Sequence, residues 1–485
     1  MELQISVILT STGFSASSAR RRTYTYNSKL QKRRKHTRII RGLFLVTVIS
    51  TVLIANALWQ ARPIAWSHER QITNGSGESR LVDISTDPSC NIVYLAWQDN
   101  RDGVVEVYFK RSLDDGVTWG PDVRLSNLTV QTLDPEPRLA ANGKTVLVFF
   151  SNRTSTGEHL FYVVSDDRGV NFSTPIELTD DSGDQSNAAV TFVGSTVDLV
   201  WQEQLNDGEE HIFYAKSSDA GLTWQREIDL TNATASQDQY AAIAAVMNNV
   251  FVAWSRTNQA GEAIYVRASS DSGETWRPEV QVSNYEAESF PQFPAIASNG
   301  VYLHVVWGGV RGIQYSRSSD SGVVWSTPIL LTNASRQYVA PRIAVTDSHI
   351  QVVTAGILGL SSDIYYLNSS NDGESWNSPA SLTAHSSDVF SLAPVISSNG
   401  DATFVAWEDN RNGRLAIFFL SKPDFTFLRG FEWRLIVALV IVLGTATIAY
   451  VSFEVRKSRA YERRRIRRRR SHQKSKQHHR ANVRR

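Results

Sequence analysis

The chain has 485 residues, 42% of them hydrophobic and 13 of them Trp, with 50 Lys and Arg against 48 Asp and Glu. This content excludes global disorder, and the single cysteine, Cys90, excludes both an intrachain disulfide framework and a cysteine-based zinc cluster. The net charge of +2 conceals a partition: residues 1–41 hold ten basic residues and one acid, residues 454–485 hold fifteen and two, and the middle is left with 25 basic and 45 acidic residues. Such separation argues against one uniform globule and for tails whose surroundings differ from those of the centre.

In chain order, residues 1–41 are a basic tail. Twenty uncharged residues follow, 42–61, enough to cross about 30 Å of hydrocarbon as a helix. A second apolar stretch occupies 431–453, with nineteen uncharged residues between Arg434 and Glu454. Trp59, Trp66 and Trp433 lie near the outer ends, where amphipathic rings favour headgroups. Basic clusters before the first stretch and after the second predict two transmembrane helices, both termini cytoplasmic and residues 62–430 exterior, in a two-pass cell-membrane protein. The alternative for the first stretch is a signal peptide cleaved after Ala55–Ala57. Sequons at Asn74, Asn127, Asn152, Asn171, Asn232, Asn333 and Asn368 all fall in the central segment, making them glycosylation candidates of an exterior domain. The Arg-rich tail, 454–485, reads as an anchor to anionic lipid headgroups, at about 1 kcal/mol per basic residue, rather than as a nucleic-acid-binding arm. Its distal run has no interleaved aromatic residues for stacking bases.

The central segment repeats. SLDDGVTW at Ser112–Trp119 recurs as SDDRGVNF, SSDAGLTW, SSDSGETW, SSDSGVVW and SSNDGESW, with closing aromatics spaced 53, 52, 52, 49 and 51 residues apart. The carboxylate or amide of Asp114, Asp167, Asp219, Asp271, Asp320 or Asn371 suits acceptance of backbone N–H bonds across a turn, and the glycine supplies a positive φ. Around each box lie short strand patterns: an alternating run ending in an aromatic (Trp97, Phe150, Trp201, Trp254, Trp307, Trp407, with a degenerate copy at 350–355), then a period-2 strand such as HLFYVVS, and a short strand after the box.

This pattern resembles the BNR/Asp-box repeat of the sialidase-like β-propellers, over about residues 68–422. Four short antiparallel strands per period of about fifty predict a blade. The expected fold is therefore all-β: a seven-bladed propeller of four-stranded blades, with six blades plus an extra hairpin as the alternative, flanked by two transmembrane α-helices. Seven arises if the orphan strand at Glu69–Thr73 completes the last unit, PVISSNGDATFVAWEDNRNGRLAIFFLS.

The resemblance makes the box residues fold determinants and places a ligand on the opposite face, where the first strand of each blade lines a central channel. On that face the resemblance puts Arg80, Arg138 and Arg342 at one repeat position, with Arg101, Arg153, Arg256, Arg311 and Arg411 in nearby loops beside Asp99, Glu203 and Asp409. A guanidinium presents paired donors matched to a carboxylate, and the family holds its substrate carboxylate with three arginines. Arg80, Arg138, Arg342, Arg101 and Arg411 are thus the ligand-binding candidates. For the Asp99–Arg101 and Asp409–Arg411 loops the competing reading is a local tie of loop to sheet. Catalysis by the family's chemistry needs an acid and a Tyr–Glu pair; Tyr240, Tyr285, Tyr338, Glu136, Glu286 and Glu288 are available, and no spacing selects a pair. The expected function is recognition of an acidic glycan or surface protein without catalysis, with an exo-sialidase as the alternative. No cofactor, metal site or nucleic-acid partner is expected: the ten histidines are scattered or lie in the basic tails.

Overall fold

Strands with apolar residues at both alternating positions are buried on both faces, and this governs the architecture. In Ile92–Asp99 every residue is buried. Val93, Leu95 and Trp97 pack with Phe404 and Ile417 from the far end of the chain, while Tyr94 and Ala96 pack with Val146 and Val148 of the following unit. One strand therefore serves two cores, and sheet stacks face to face on sheet.

A computed structural model describes residues 66–87, 91–127, 135–179, 183–231, 236–283, 292–333, 336–384 and 388–423, together with scattered positions between 450 and 471. Contacts divide the chain into two compact units, residues 64–427 and residues 1–63 with 428–485. Among the described residues the first unit carries 28 strands, paired antiparallel but for one parallel bridge. Its earliest strand, Arg70–Gln71, pairs with its last, Ala416–Pro423, with Arg70 opposite Phe419.

The expected architecture is corrected in two respects. The strands form six hydrogen-bonded sheets, five of four strands and one of eight, and hydrogen bonding closes no ring of seven or six separate blades. The eight-stranded sheet arises because Glu210 and Gln237 make a parallel bridge that joins two four-stranded groups. The second correction concerns the membrane: among the described residues no helix is long and apolar enough to cross one. The helical positions described between Tyr450 and Ser471 include Arg456, Lys457, Arg459, Arg463, Arg464 and Arg467, all exposed, and these belong to the basic tail. The two-pass location with cytoplasmic tails is thereby left without structural support. The stretches 42–61 and 431–453 lie outside the described residues, apart from single positions at Tyr450, Ser452 and Phe453.

The boxes behave as local chemistry predicts. Asp114 accepts bonds from Thr118 N at 2.7 Å, Thr118 Oγ1 at 2.6 Å and Ser112 Oγ at 2.8 Å. Asp219 and Asp271 repeat this with Thr223 and Thr275, and Asp167, Asp320 and Asn371 with Asn171, Val324 and Ser375. The bonds from Thr223 hold the Asp219 carboxyl down at about 2. The closing aromatic packs on the neighbouring unit as well as on its own. Trp119 meets Phe419 edge-on at 5.1 Å, and Trp276 meets Tyr214 at 5.0 Å. The box is thus a clasp between units.

Candidate ligand-binding site

Seven strands border one cavity of about 360 Å³. They run Ser79–Asp87, Arg138–Asn142, Asp184–Val193, Gln237–Val246, Gln292–Ser298, Gln337–Thr346 and Ser391–Ser398, each in contact with the next and the last in contact with the first. Most are rich in small residues and proline at the cavity end (Ala188-Ala189, Ala241-Ala242, Pro294-Ala295, Pro394), which keeps the space open.

The cavity end of these strands is irregular. In six of them the pairing register to the following strand slips, for example between Arg80 and Asp83 and between Gln239 and Ala242. Such a bulge re-aims the residue it contains. In every one of the seven chain segments a non-glycine residue takes a left-handed backbone: Leu81 (φ 48°), Glu136 (42°), Asn187 (51°) and Tyr240 (56°), then Phe293 (53°), Ala340 (49°) and Ala393 (45°). All seven line the cavity. An L-residue pays about 1–2 kcal/mol for that conformation. Ala393→Gly is accordingly expected to stabilise the fold by about 0.5–1 kcal/mol, measured as a rise in the urea midpoint.

Two residues beyond each left-handed position, the strands offer Asp83, Arg138, Ala189, Ala242, Ala295, Arg342 and Val395. These share one register: Asp83 opposes Ala96, Arg138 opposes Phe149 and Arg342 opposes Val353, each residue preceding the end position of its partner strand's apolar run. Asp83, rather than Arg80, is therefore level with Arg138 and Arg342. Arg80 does not line the cavity; its side chain is 49% exposed, with Nε 3.9 Å from Glu408.

The charged set in the cavity is Asp83, Glu136, Arg138 and Arg342. Burial pushes the Asp83 carboxyl up, against the pull of Arg138, the Leu139 N–H and Arg342; Oδ2 accepts from Leu139 N at 2.7 Å. Arg138 donates from Nε to Ala188 O at 2.8 Å and stands 3.8 Å from Glu136 Oε2. That oxygen is buried and accepts no hydrogen bond among the described residues. Burial and the like charge of Arg138 bring the Arg342 guanidinium down to about 10. Among the described residues it hydrogen-bonds only the Pro341 carbonyl, at 3.2 Å. Tyr240 and Phe293 add an aromatic wall, ring centroids 4.3 Å apart. Burial, then the charges of Glu210 and Glu136, push the Tyr240 phenol up.

The remaining expected site residues lie elsewhere. Arg101 clasps Asp99 with Nε at 2.9 Å and Nη2 at 2.6 Å and reaches Asp122 at 2.5 Å. Arg411 binds Asp409 in the same way, at 2.8 and 2.6 Å, and also pairs with Glu69. Both carboxylates also accept from Ser79 and Ser391, each at 2.7 Å. These are loop-to-sheet ties whose donors are spent. Arg153 and Arg311 are exposed. Tyr338 is buried against Tyr365 at 5.4 Å. Tyr285, Glu286 and Glu288 lie outside the described residues. Of the sequons, Asn74, Asn127, Asn171 and Asn333 are exposed, Asn152 and Asn368 half-buried, and Asn232 lies outside the described residues. Asn171 spends its amide on Asp167 at 2.8 Å. No cluster of three potential metal ligands occurs among the described residues.

Residues 66–305 match the family model of the BNR repeat-like domain. No curated protein matches the sequence. Among solved structures, an ulvan lyase representing a new family of polysaccharide lyase is similar at 12% identity with a TM-score of 0.53, the match covering 72% of this chain and 95% of that one. A Trypanosoma rangeli sialidase in complex with sialic acid is similar at 13% identity and a TM-score of 0.44, covering 64% of this chain and 57% of the sialidase. An α-L-arabinofuranosidase from Fusarium graminearum follows at 14% and 0.45, covering 60% and 94%. Residues 66–305 are thus similar to a BNR repeat-like domain, and the likeness to the lyase is one of fold. Likeness at this level of identity speaks to fold, and the chemistry of the cavity has to be argued from its own residues.

Proposed function

We propose that the cavity binds a carboxylate-bearing saccharide without transforming it. The observation that carries this reading is Arg342, a deep guanidinium beside a second arginine, with a single backbone carbonyl as its hydrogen-bond acceptor among the described residues. Arg342, with most of its planar donors unspent, and the neighbouring cation Arg138, which itself bonds Ala188 O and Pro137 O, favour an incoming carboxylate, which neutralises their repulsion and accepts paired bonds from Arg342. The cavity, about 360 Å³, lies at the small end of ligand sites and suits one or two sugar rings.

Binding is favoured over hydrolysis because Tyr240, the only tyrosine lining the cavity among the described residues, is placed against nucleophilic use. A phenol attacks as phenolate, and burial and carboxylate neighbours oppose that ionisation at Tyr240. The hydrolytic reading draws on Glu136, whose unsatisfied Oε2 shares the cavity with that phenol. Turnover of a fluorogenic sialoside, abolished by Tyr240→Phe, would establish hydrolysis in place of simple binding.

The test of binding is calorimetry with sialic, glucuronic and galacturonic acids and with neutral glucose. At least one acid should bind in preference to glucose, and Arg342→Ala should weaken it by about 100-fold, in line with loss of a buried charged contact. Equal affinity for glucose, or no effect of the substitution, would sink the proposal.

A further inference from the structure

The left-handed ring around the cavity holds a second recognition element. A strained backbone position repeated in seven segments is where glycine would relieve cost, yet none of the seven is glycine. The hairpins of the same repeats do use glycine for positive φ, at Gly143 and Gly194 for instance. Strain retained at a position that carries a polar or aromatic side chain points to a use for that side chain.

The seven side chains are also unevenly distributed. Glu136, Asn187, Tyr240 and Phe293 come from four successive segments and form a polar and aromatic arc. Ala340, Ala393 and Leu81 complete the ring with small or aliphatic groups. Tyr240 and Phe293 are partly exposed, inclined at 43°, and both line the cavity. Such a pair gives an aromatic lining to the same cavity that Arg138 and Arg342 border. The axial C–H face of a pyranose is the complementary surface, flat, weakly positive and hard to satisfy with hydrogen bonds.

We infer that Tyr240 and Phe293 are a stacking platform for the ring of the bound saccharide, with Asn187 and Glu136 beside it as hydroxyl partners. The inference rests on the carboxylate reading for the orientation of the ligand, the acid group toward Arg138 and Arg342 and the ring on the aromatic arc. Alanine occupies the equivalent backbone position in two segments, Ala340 and Ala393, so Phe293→Ala and Tyr240→Ala introduce no new backbone demand.

The experiment uses the full-length chain, calorimetry and saturation-transfer NMR, and three probes: glucuronate, acetate and glucose. Glucuronate carries both recognition features, acetate only the carboxylate, glucose only the ring. Phe293→Ala and Tyr240→Ala are each expected to weaken glucuronate about tenfold, to leave acetate unchanged, and to abolish preferential saturation of the ring protons. Phe293→Tyr should retain binding. Arg342→Ala should weaken glucuronate and acetate alike. Unchanged glucuronate affinity in both alanine variants, or an equal loss for acetate, would overturn the platform. Glucose binding that depends on Phe293, without preference for either acid, would support the platform while removing the carboxylate reading. Binding of no probe would overturn both.

Discussion

Replacing Arg256 by alanine is expected to lower stability by about 3–5 kcal/mol at neutral pH, the cost of stranding a buried carboxylate. Asp238 is fully buried, and Arg256 meets it with Nε at 2.6 Å and Nη2 at 3.1 Å. The same guanidinium pairs with Glu279 and lies 4.6 Å from the Tyr265 ring centroid. Trp254 Nε1 also donates to Asp238, at 3.0 Å. Burial pushes the Asp238 carboxyl up even with Arg256 opposing it, so its removal raises the carboxyl further. A carboxyl whose pKa is higher folded than unfolded binds its proton more tightly in the native state. Stability is then highest below the unfolded carboxylate range and is lost as pH rises through the folded value. The deficit of Arg256→Ala should therefore be largest at pH 7 and shrink as pH falls toward the carboxylate range. Urea unfolding of the variant at pH 5 and 7, with Asp238→Asn added as a rescue, reads this directly. A deficit that does not change with pH, or that the rescue leaves untouched, would show that lost packing outweighs the stranded charge.

The second large effect is steric. Gly273 adopts φ +82°, and a Cβ there would lie 2.0 Å from the Tyr214 hydroxyl oxygen. That hydroxyl is held by Asp198 Oδ1 at 2.6 Å, so it gives way only at the expense of a buried bond. Gly273→Ala is expected to cost about 3 kcal/mol, combining backbone strain and overpacking. Gly208 has a similar φ, +87°, with no atom within 4 Å of a built Cβ. Gly208→Ala should cost about 1 kcal/mol from backbone strain alone. Denaturant midpoints of the two variants separate the terms, and equal losses would show that the close approach to Tyr214 carries no energy.

The same contrast explains what was legible in the sequence. The boxes could be read because every part of each is local: a serine, an acid and a glycine within five residues, closed by bonds spanning at most four. The pairing of Arg70–Gln71 with the final strand was legible because the last unit lacks its fourth strand and the orphan run before the first unit supplies it. The double-width sheet was not legible, since one parallel bridge between Glu210 and Gln237 depends on two loops meeting in space. Arg138 lies twelve residues before Phe150, and Arg342 twelve before Thr354, the matching position of the degenerate run, so a fixed count finds them. In the first unit the corresponding separation, from Asp83 to Trp97, is fourteen, and a count of twelve falls on Ser85. Aligning by arginine selects Arg80 instead, which lies outside the cavity.

The sequence by itself determined the repeat, its strand content and the turn bonds of the box acids, because these rest on interactions within a few residues. It also placed two of the four charged cavity groups at one repeat position. Only the tertiary structure decided which side chains meet. Bulges shift the strand register by steps that no periodicity records, and burial then sets the charge behaviour of Asp83 and Arg342 through neighbours more than fifty residues away. The net charge, which suggested a membrane topology, describes where ions lie along the chain. It does not specify the solvent each segment meets, and among the described residues no helix is long and apolar enough to cross a membrane.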